Sequence, residues 1–326
     1  MQYVKLGRSG LDVSQIALGG MSFGDPGRGQ HSWTLDEDDS RAVVRRALDA
    51  GINFFDTANQ YSDGASEEIL GRVLAKETRR DEVVIASKVF APMHDGPNSL
   101  GLSRKSMMTE LDASLKRLGT DHIDLYQIHR FDPRTPLEET LSTLDQMVQS
   151  GKVRYLGASS MYAWQFAKAQ YTADLHGWQR FISMQCHYNL LYREEEREML
   201  PLCADQGVGV IPWSPLARGR LTRPRGQETA RTRDDKYGQV LFDATADTDQ
   251  RIIDRVADLA ERRVLPAAQI ALSWVAGRPG VTAPIVGVSK ISQLDDALAA
   301  LDVRLTDDEV SFLEELYVPH EVTGLL

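Results

Sequence analysis

Three hydrophobic stretches of the chain each end in a side chain that can hold or transfer a proton. They are INFFD ending at Asp56, VVIASK ending at Lys88 and IDLYQIH ending at His129, and Tyr61 follows shortly after the first. A buried lysine needs a carboxylate partner, because an unpaired charge removed from water is costly, and Asp56 can supply it. A retained ammonium group also stabilises a nearby phenolate. Tyr61 can then serve as a general acid while His129 donates a hydrogen bond to a carbonyl oxygen.

The elements around these residues explain how they can meet. Each stretch reads as a strand buried on both faces, and each is followed by a loop and by residues with helical periodicity. This alternation is typical of parallel strands joined by helices. The carboxyl ends of such strands lie on one rim of the sheet, so residues distant in sequence become neighbours.

Helix-start signals separate the predicted strands. Thr34 and Glu37 match the capping-box pattern, which predicts that the first outer helix begins there. Thr135 followed by Pro136 predicts the start of the fourth helix, with the threonine as cap and the proline in the first helical position. Pro201 lies inside a helical pattern and should bend or interrupt that helix.

The whole chain contains eight predicted units of a strand followed by a helix. We therefore predict an α/β fold, a (β/α)₈ TIM barrel that forms a single domain over residues 1–326. Residues 2–13 should add an N-terminal β-hairpin, and extra helices should follow at the C-terminal end. The stretch from about 222 to 248 is too long and polar for an ordinary connection. We expect the loop from about 214 to 248 to lie over the C-terminal rim as a lid or an insertion.

Composition narrows the class of protein. Hydrophobic residues make up 42% of the 326 residues and charged residues 26%, which is ordinary for a globular chain with a sizeable core. The net charge of −10 argues against nucleic-acid or membrane-surface partners. Two cysteines offer no disulfide framework, and neither a signal core nor a long apolar span is visible. A cytoplasmic protein is the simplest expectation.

Other well-known catalytic and binding motifs do not fit. The glycine-rich segment GGMSFGDPGRGQ lacks the spacing of a dinucleotide fingerprint, and a polar loop follows it where that motif requires a helix. The sequence has no P-loop, no C-x-x-C, no H-E-x-x-H and no nucleophile-elbow serine. Its seven histidines are scattered, so we predict no metal site.

Several ordered segments resemble one known family. GINFFDTANQYSDGASEEILGRVL, VVIASK, LGTDHIDLYQIH, GKVRYLGASS, SMQCHYNLL, WSPLARGRL and IVGVSKISQLDDAL are similar to segments of the aldo-keto reductases. The resemblance is strongest to the bacterial group that is also similar to potassium-channel β subunits. It implies an NADPH-dependent carbonyl reductase with Asp56, Tyr61, Lys88 and His129 as catalytic residues and Tyr61 as proton donor.

The resemblance also implies a set of cofactor-binding positions. Those near the nicotinamide and its ribose are Gly20, Met21, Ser22, Asp56, Ser159, Ser160, Gln185 and Trp213, the last being the ring on which the nicotinamide stacks. Those of the pyrophosphate loop are Ser214, Pro215, Leu216, Arg218, Gly219 and Leu221. Those of the adenosine site are Gly287, Ser289, Lys290, Gln293 and Asp296. Many relatives have Asn at the position of Ser160, and Lys290 at a helix N-terminus favours NADPH over NADH.

Substrate choice should depend on the loops at the rim. Trp33, Phe90, Arg130 and Tyr188 are candidate substrate contacts, with Phe131, Tyr192 and Arg218 as further ones. Their mixture of aromatic rings and cations fits an aromatic aldehyde and an anionic or sugar-like carbonyl substrate equally well. Two other functions stay open: an NADPH-binding redox sensor or regulatory subunit with little turnover, and a barrel isomerase that uses Lys88 and His129 for proton transfer.

Overall fold

The computed structural model describes residues 1–28, 33–223 and 235–325. Residues 224–234, in the middle of the predicted long loop, lie outside these ranges. The strands are β1 (Tyr3–Lys5), β2 (Asp12–Ser14), β3 (Ala17–Gly19), β4 (Phe54–Asp56), β5 (Val84–Val89), β6 (Ile123–Ile128), β7 (Val153–Ser159), β8 (Phe181–Gln185), β9 (Gly209–Val210) and β10 (Ile285–Val286).

Eight of these strands form one parallel sheet in the order β10-β3-β4-β5-β6-β7-β8-β9. The two edges of the sheet are joined by backbone hydrogen bonds, since Thr282 N donates to Val210 O at 2.8 Å and Ile285 N donates to Pro212 O at 2.9 Å. The predicted (β/α)₈ barrel is confirmed. Strands β1 and β2 pair antiparallel, which confirms the N-terminal hairpin as well.

Helices follow the barrel strands and pack around them. They are α1 (Glu37–Asp49), α2 (Ala65–Glu77), α3 (Arg104–Leu118), α4 (Leu137–Gln149), α5 (Ala163–His176), α6 (Met199–Gln206), α7 (Lys236–Phe242), α8 (Ala246–Arg263), α9 (Ala267–Ala276), α10 (Ile291–Ala300) and α11 (Asp307–Glu314). Within the described ranges, no helix is long and apolar enough to cross a membrane.

The hydrophobic core has two parts, as the barrel architecture requires. The larger part fills the space between the strands and the helices. The smaller part lies inside the barrel, where Leu6 and Val13 of the hairpin region pack with Phe54, Leu125 and Ile211. The hairpin therefore closes the N-terminal end of the barrel, and the C-terminal end is left for chemistry.

The prediction for the start of α1 was wrong by two residues. The cap is Asp36, whose side chain accepts a hydrogen bond from Asp39 N at 3.0 Å. Thr34 instead lies in a segment that returns to the barrel, where Leu35 N donates to Ser22 O at 2.7 Å. Asp and Thr are both good N-cap residues, so this tertiary contact decides which of the two caps α1.

The two proline predictions also need correction. Helix α4 begins at Leu137 with Pro136 as its N-cap residue, and the Thr135 hydroxyl donates to Asp132 Oδ2 at 2.8 Å instead of capping the helix. Pro201 does not interrupt α6, because that helix begins at Met199. A proline in the first turn loses nothing, since backbone N–H groups there have no partner inside the helix.

Candidate active site

The four predicted catalytic side chains meet at the C-terminal rim. Asp56 ends β4, Lys88 lies near the end of β5 and His129 directly follows β6, so three adjacent strands position these side chains. Lys88 is fully buried, and its Nζ lies 2.6 Å from Asp56 Oδ2, 2.9 Å from Thr57 O and 3.3 Å from the Tyr61 hydroxyl. The ammonium group thus links the carboxylate to the phenol.

The surroundings of Lys88 keep it charged. Burial alone lowers the pKa of Lys88, but the Asp56 carboxylate, together with Tyr61, outweighs that effect and raises the pKa above its ordinary value. A charged lysine at this distance from the Tyr61 oxygen stabilises negative charge on that oxygen. This is the electrostatic arrangement that a phenol needs in order to release a proton.

Asp56 is held by two further side chains. Its Oδ1 accepts hydrogen bonds from Gln127 Nε2 at 3.0 Å and from Gln185 Nε2 at 2.9 Å. Sequence analysis missed Gln127. The available signal was its place two residues before His129 in a strand, which puts both side chains on the same face of the strand.

His129 lies beside the Tyr61 ring and is uncharged near neutral pH. The two rings meet edge to face with centroids 5.9 Å apart, and Gln60 Nε2 lies 3.4 Å from His129 Nδ1. Burial, followed by the charges of Lys88 and Arg130, lowers the pKa of His129 well below its ordinary value. His129 can therefore offer one N–H to a carbonyl oxygen, but it does not carry a charge of its own.

The residues predicted to hold the nicotinamide form one connected cluster. Trp213 Nε1 donates to Ser160 Oγ at 3.1 Å, the hydroxyls of Ser160 and Ser159 lie 3.2 Å apart, and Ser159 Oγ donates to Gln185 O at 2.9 Å. Through Gln185 this cluster reaches Asp56. Ser160 thus contacts the Trp213 indole.

The loop predicted to hold the pyrophosphate has an unusual backbone. Ser214 and the consecutive residues Ala217, Arg218 and Gly219 all have positive φ, and within this tight turn Ala217 N donates to Ser214 O and Gly219 N donates to Leu216 O, each at 2.9 Å. The Arg218 side chain is nearly buried and forms an ion pair with Asp235, in which Nη2 of Arg218 lies 2.8 Å from Oδ1 of Asp235. Its charge is compensated by a partner that sequence analysis missed, because Asp235 lies in a stretch without periodic pattern.

The predicted adenosine-site residues gather where β10 leads into α10. The N-cap of α10 is Lys290, and Ser289 N donates to Gln293 Oε1 at 2.8 Å. Asp296 accepts a hydrogen bond from Gln269 Nε2 at 3.0 Å. Ser22, from the β3 end, donates to Val288 O at 2.8 Å and so connects this region to the nicotinamide side. Gly287, Ser289 and Lys290 are exposed.

Only some of the predicted substrate residues lie near the barrel mouth. Arg130 does, with Nη1 donating to His129 O at 2.7 Å and Nη2 to the Tyr237 hydroxyl at 3.2 Å. Phe90 follows β5 and Trp33 lies in the loop before α1, and both are partly exposed.

Tyr188 lies elsewhere. It is 1% exposed, packs against Trp274 with centroids 5.4 Å apart and donates to Glu196 Oε1 at 2.6 Å. Neighbouring residues in extended chain point to opposite sides, and here His187 takes the side that faces the rim. Tyr192 is also fully buried, so neither tyrosine offers surface to a substrate.

Comparison with known proteins indicates the family to which the chain belongs. The model of the Aldo/keto reductase family matches residues 15–318. The chain is 43% identical over 342 residues to versiconal hemiacetal acetate reductase of Aspergillus parasiticus, covering 99% of this chain and 98% of that protein. It is 44% identical over 348 residues to a protein of Schizosaccharomyces pombe provisionally named an aryl-alcohol dehydrogenase, covering 99% and 97%. An aldo-keto reductase of Fusarium vanettenii is 42% identical over 349 residues, covering 99% and 93%.

The chain therefore belongs to the aldo/keto reductase family. Membership of this family, together with relatives named as reductases, supports carbonyl reduction with a nicotinamide cofactor. The narrower expectation, a bacterial group close to potassium-channel β subunits, is not supported, because these relatives are fungal. The segments that suggested the subgroup are those that carry the general catalytic site.

Proposed function

We propose that the chain, as one domain over residues 1–326, is an NADPH-dependent reductase that converts aldehydes or ketones to alcohols. The observation that carries the proposal is the contact of the Tyr61 hydroxyl with Lys88 Nζ at 3.3 Å, where Lys88 is itself ion-paired with Asp56. This arrangement supports Tyr61 as the proton donor. The reduced nicotinamide supplies the hydride when it is bound.

The chain's own residues handle the proton and the developing charge. His129 and the Tyr61 hydroxyl donate hydrogen bonds to the carbonyl oxygen, which orients the substrate and polarises its C=O bond. The carbonyl carbon receives a hydride while Tyr61 transfers its proton to the oxygen. Lys88 stabilises the phenolate that remains. Tyr61 is only partly buried, so solvent can return the proton.

Three parts of the rim support the proposal of a nicotinamide dinucleotide. Trp213 provides a flat, half-buried ring, and the left-handed turn from Ala217 to Gly219 lies in the segment that resembles the pyrophosphate loop. The exposed Lys290 at the start of α10 suits a 2′-phosphate.

We expect Lys290→Ala to weaken NADPH binding about ten-fold while NADH binding is unchanged. Fluorescence titration checks this, with Lys168→Ala on α5 as the control; equal loss for both cofactors would contradict the 2′-phosphate assignment.

For the substrate we favour an uncharged aromatic aldehyde. Arg218, a cation that suggested an anionic substrate, is paired with Asp235. Arg130 uses two of its nitrogens on His129 O and the Tyr237 hydroxyl. The other predicted substrate residues near the mouth, Phe90 and Trp33, are aromatic, and one relative carries the provisional name of an aryl-alcohol dehydrogenase.

The test is a titration with each nicotinamide, followed by an NADPH oxidation assay with aromatic aldehydes, sugars and sugar phosphates. We expect tight NADPH binding and the highest kcat/KM for aromatic aldehydes. Tight binding with no turnover on any carbonyl would favour the redox-sensing alternative instead. Absence of cofactor binding would favour the isomerase.

A further inference from the structure

Trp213 is backed by a column of aromatic rings that the proposed chemistry does not use. The His187 imidazole stacks on Trp213 with centroids 4.2 Å apart and an angle of 9° between the planes. On its other face it stacks on Tyr192 at 4.4 Å and 14°. His187 and Trp213 are paired by a parallel bridge just beyond β8 and β9. The backbone register therefore sets the first stack.

The hydrogen bonds around His187 determine which ring nitrogen carries the proton. Asn189 Oδ1 accepts hydrogen bonds from Leu191 N at 2.9 Å and Tyr192 N at 3.1 Å, which fixes the orientation of the amide. Its Nδ2 therefore faces His187 Nε2 at 3.1 Å and also donates to Ser214 O at 3.0 Å. Nε2 must be the acceptor, and the proton of the neutral ring is on Nδ1.

Other groups keep the imidazole uncharged. The ring is 1% exposed, and burial, followed by the charges of Arg218, His320 and Arg130, lowers the pKa of His187 to about 3. Nδ1 is buried and has no hydrogen-bond partner among the described residues. Within the described residues the ring makes one hydrogen bond, through Nε2, and its contacts with Trp213 and Tyr192 are the two stacked faces.

The edges of the indole are held as well. Trp213 Nε1 donates to Ser160 Oγ. At the Cζ2–Cη2 edge of the six-membered ring the chain passes so close that a Cβ placed on Gly324 would lie 3.2 Å from both atoms. One face and two edges of the ring are thus fixed.

We propose that His187 is a positioning residue, a flat neutral ring that holds the Trp213 indole in the plane against which the nicotinamide stacks. The proposal rests on the proposed function for its consequence in cofactor binding. An uncharged ring behind Trp213 also leaves the electron density of the indole available to the positively charged oxidised nicotinamide.

The test uses a matched pair of variants. His187→Phe keeps a flat ring and removes both nitrogens, whereas His187→Leu keeps apolar bulk without a ring; His187→Met replaces the latter if it does not fold. The first readout is the indole N–H resonance of Trp213 in the cofactor-free protein. It is identified among the five tryptophans by its loss in Trp213→Phe. The second readout is the Kd of the oxidised cofactor.

We expect His187→Leu to shift and broaden the Trp213 resonance and to weaken binding of the oxidised cofactor about ten-fold. His187→Phe should preserve the resonance and keep the Kd within about two-fold. Wild-type behaviour of both variants, or equal loss in both, would overturn the proposal. If the wild-type protein binds no nicotinamide, the proposed function fails, and the resonance of the cofactor-free protein still decides whether His187 positions Trp213.

Discussion

At the scale of single residues, the site depends on one buried ion pair that is fully hydrogen-bonded. Lys88 Nζ contacts Asp56, Thr57 O and Tyr61, while the second Asp56 oxygen accepts from Gln127 and Gln185. A buried pair contributes little net stability, but removing one partner leaves an uncompensated charge. The electrostatic effect of the Lys88–Asp56 pair on Tyr61, and not a gain in stability, therefore explains why the pair is there.

Removing the lysine charge should cost both activity and stability. We expect Lys88→Met to lower turnover by several orders of magnitude and the free energy of unfolding by about 3–5 kcal/mol, because Asp56 is left charged and buried. The double variant Asp56→Asn with Lys88→Met should regain part of that stability and none of the activity. Urea denaturation of Lys88→Met, Asp56→Asn and the double variant measures the coupling. A loss in the double variant equal to the sum of the two single losses would show that the pair is not coupled.

At the scale of elements, the connection between β4 and α2 carries Tyr61 and is held by hydrogen bonds to β5 and α3. Asn59 N donates to Lys88 O at 3.2 Å, and Asn59 Nδ2 donates to Glu110 Oε2 of α3 at 3.0 Å. The same network continues through Arg117, which donates to the fully buried Glu67 at 2.6 Å. Strand β5 and helices α2 and α3 thus set the position of the Tyr61 phenol.

Loosening this connection should affect the chemical step more than binding. We expect Asn59→Ala to lower kcat about ten-fold while the Kd of the cofactor changes less than about two-fold, since a misplaced acid lowers only the reaction rate. Steady-state kinetics and cofactor titration check the split. Asp112→Asn on the exposed face of α3 is the control. A parallel loss of kcat and cofactor affinity would show that Asn59 supports the whole rim.

At the scale of the whole molecule, one buried carboxyl makes stability depend on pH. Burial, followed by the charge of Glu194, raises the pKa of Glu195 to about 8 from its ordinary value of 4.5. Between these values the folded protein keeps a proton that the unfolded chain releases. The free energy of unfolding therefore falls as the pH rises through this window.

Replacing the Glu195 carboxyl by an amide should remove its contribution to the pH dependence. We expect Glu195→Gln to be more stable than the wild-type protein at pH 8 by about 1 kcal/mol or more, relative to their difference at pH 5. Urea denaturation at the two pH values measures this, and the exposed Glu198→Gln is the control. An unchanged difference between pH 5 and pH 8 would mean that Glu195 is ionised in the folded protein.

Much of the fold was predictable because buried parallel strands leave a clear signal. Asp56, Lys88 and His129 end three such strands, so their meeting followed from topology alone. The cap of α1 was not predictable, because Thr34 and Asp36 are both good caps and only a tertiary contact separates them. Partners such as Asp235 for Arg218 and His187 for Trp213 escaped prediction for another reason. Those contacts depend on loop geometry and cross-strand register, which no local sequence pattern indicates.

The central claim is that Tyr61 gives the proton in an NADPH-dependent carbonyl reduction, and Tyr61→Phe tests it most directly. The measurement compares NADPH oxidation by an aromatic aldehyde, and the Kd of NADPH, in the wild-type protein and the variant. We predict wild-type turnover, a loss of about 10²–10⁴-fold in the variant through loss of the proton donor, and a Kd that changes less than about two-fold. Variant turnover within about ten-fold of wild type would contradict the assignment of Tyr61.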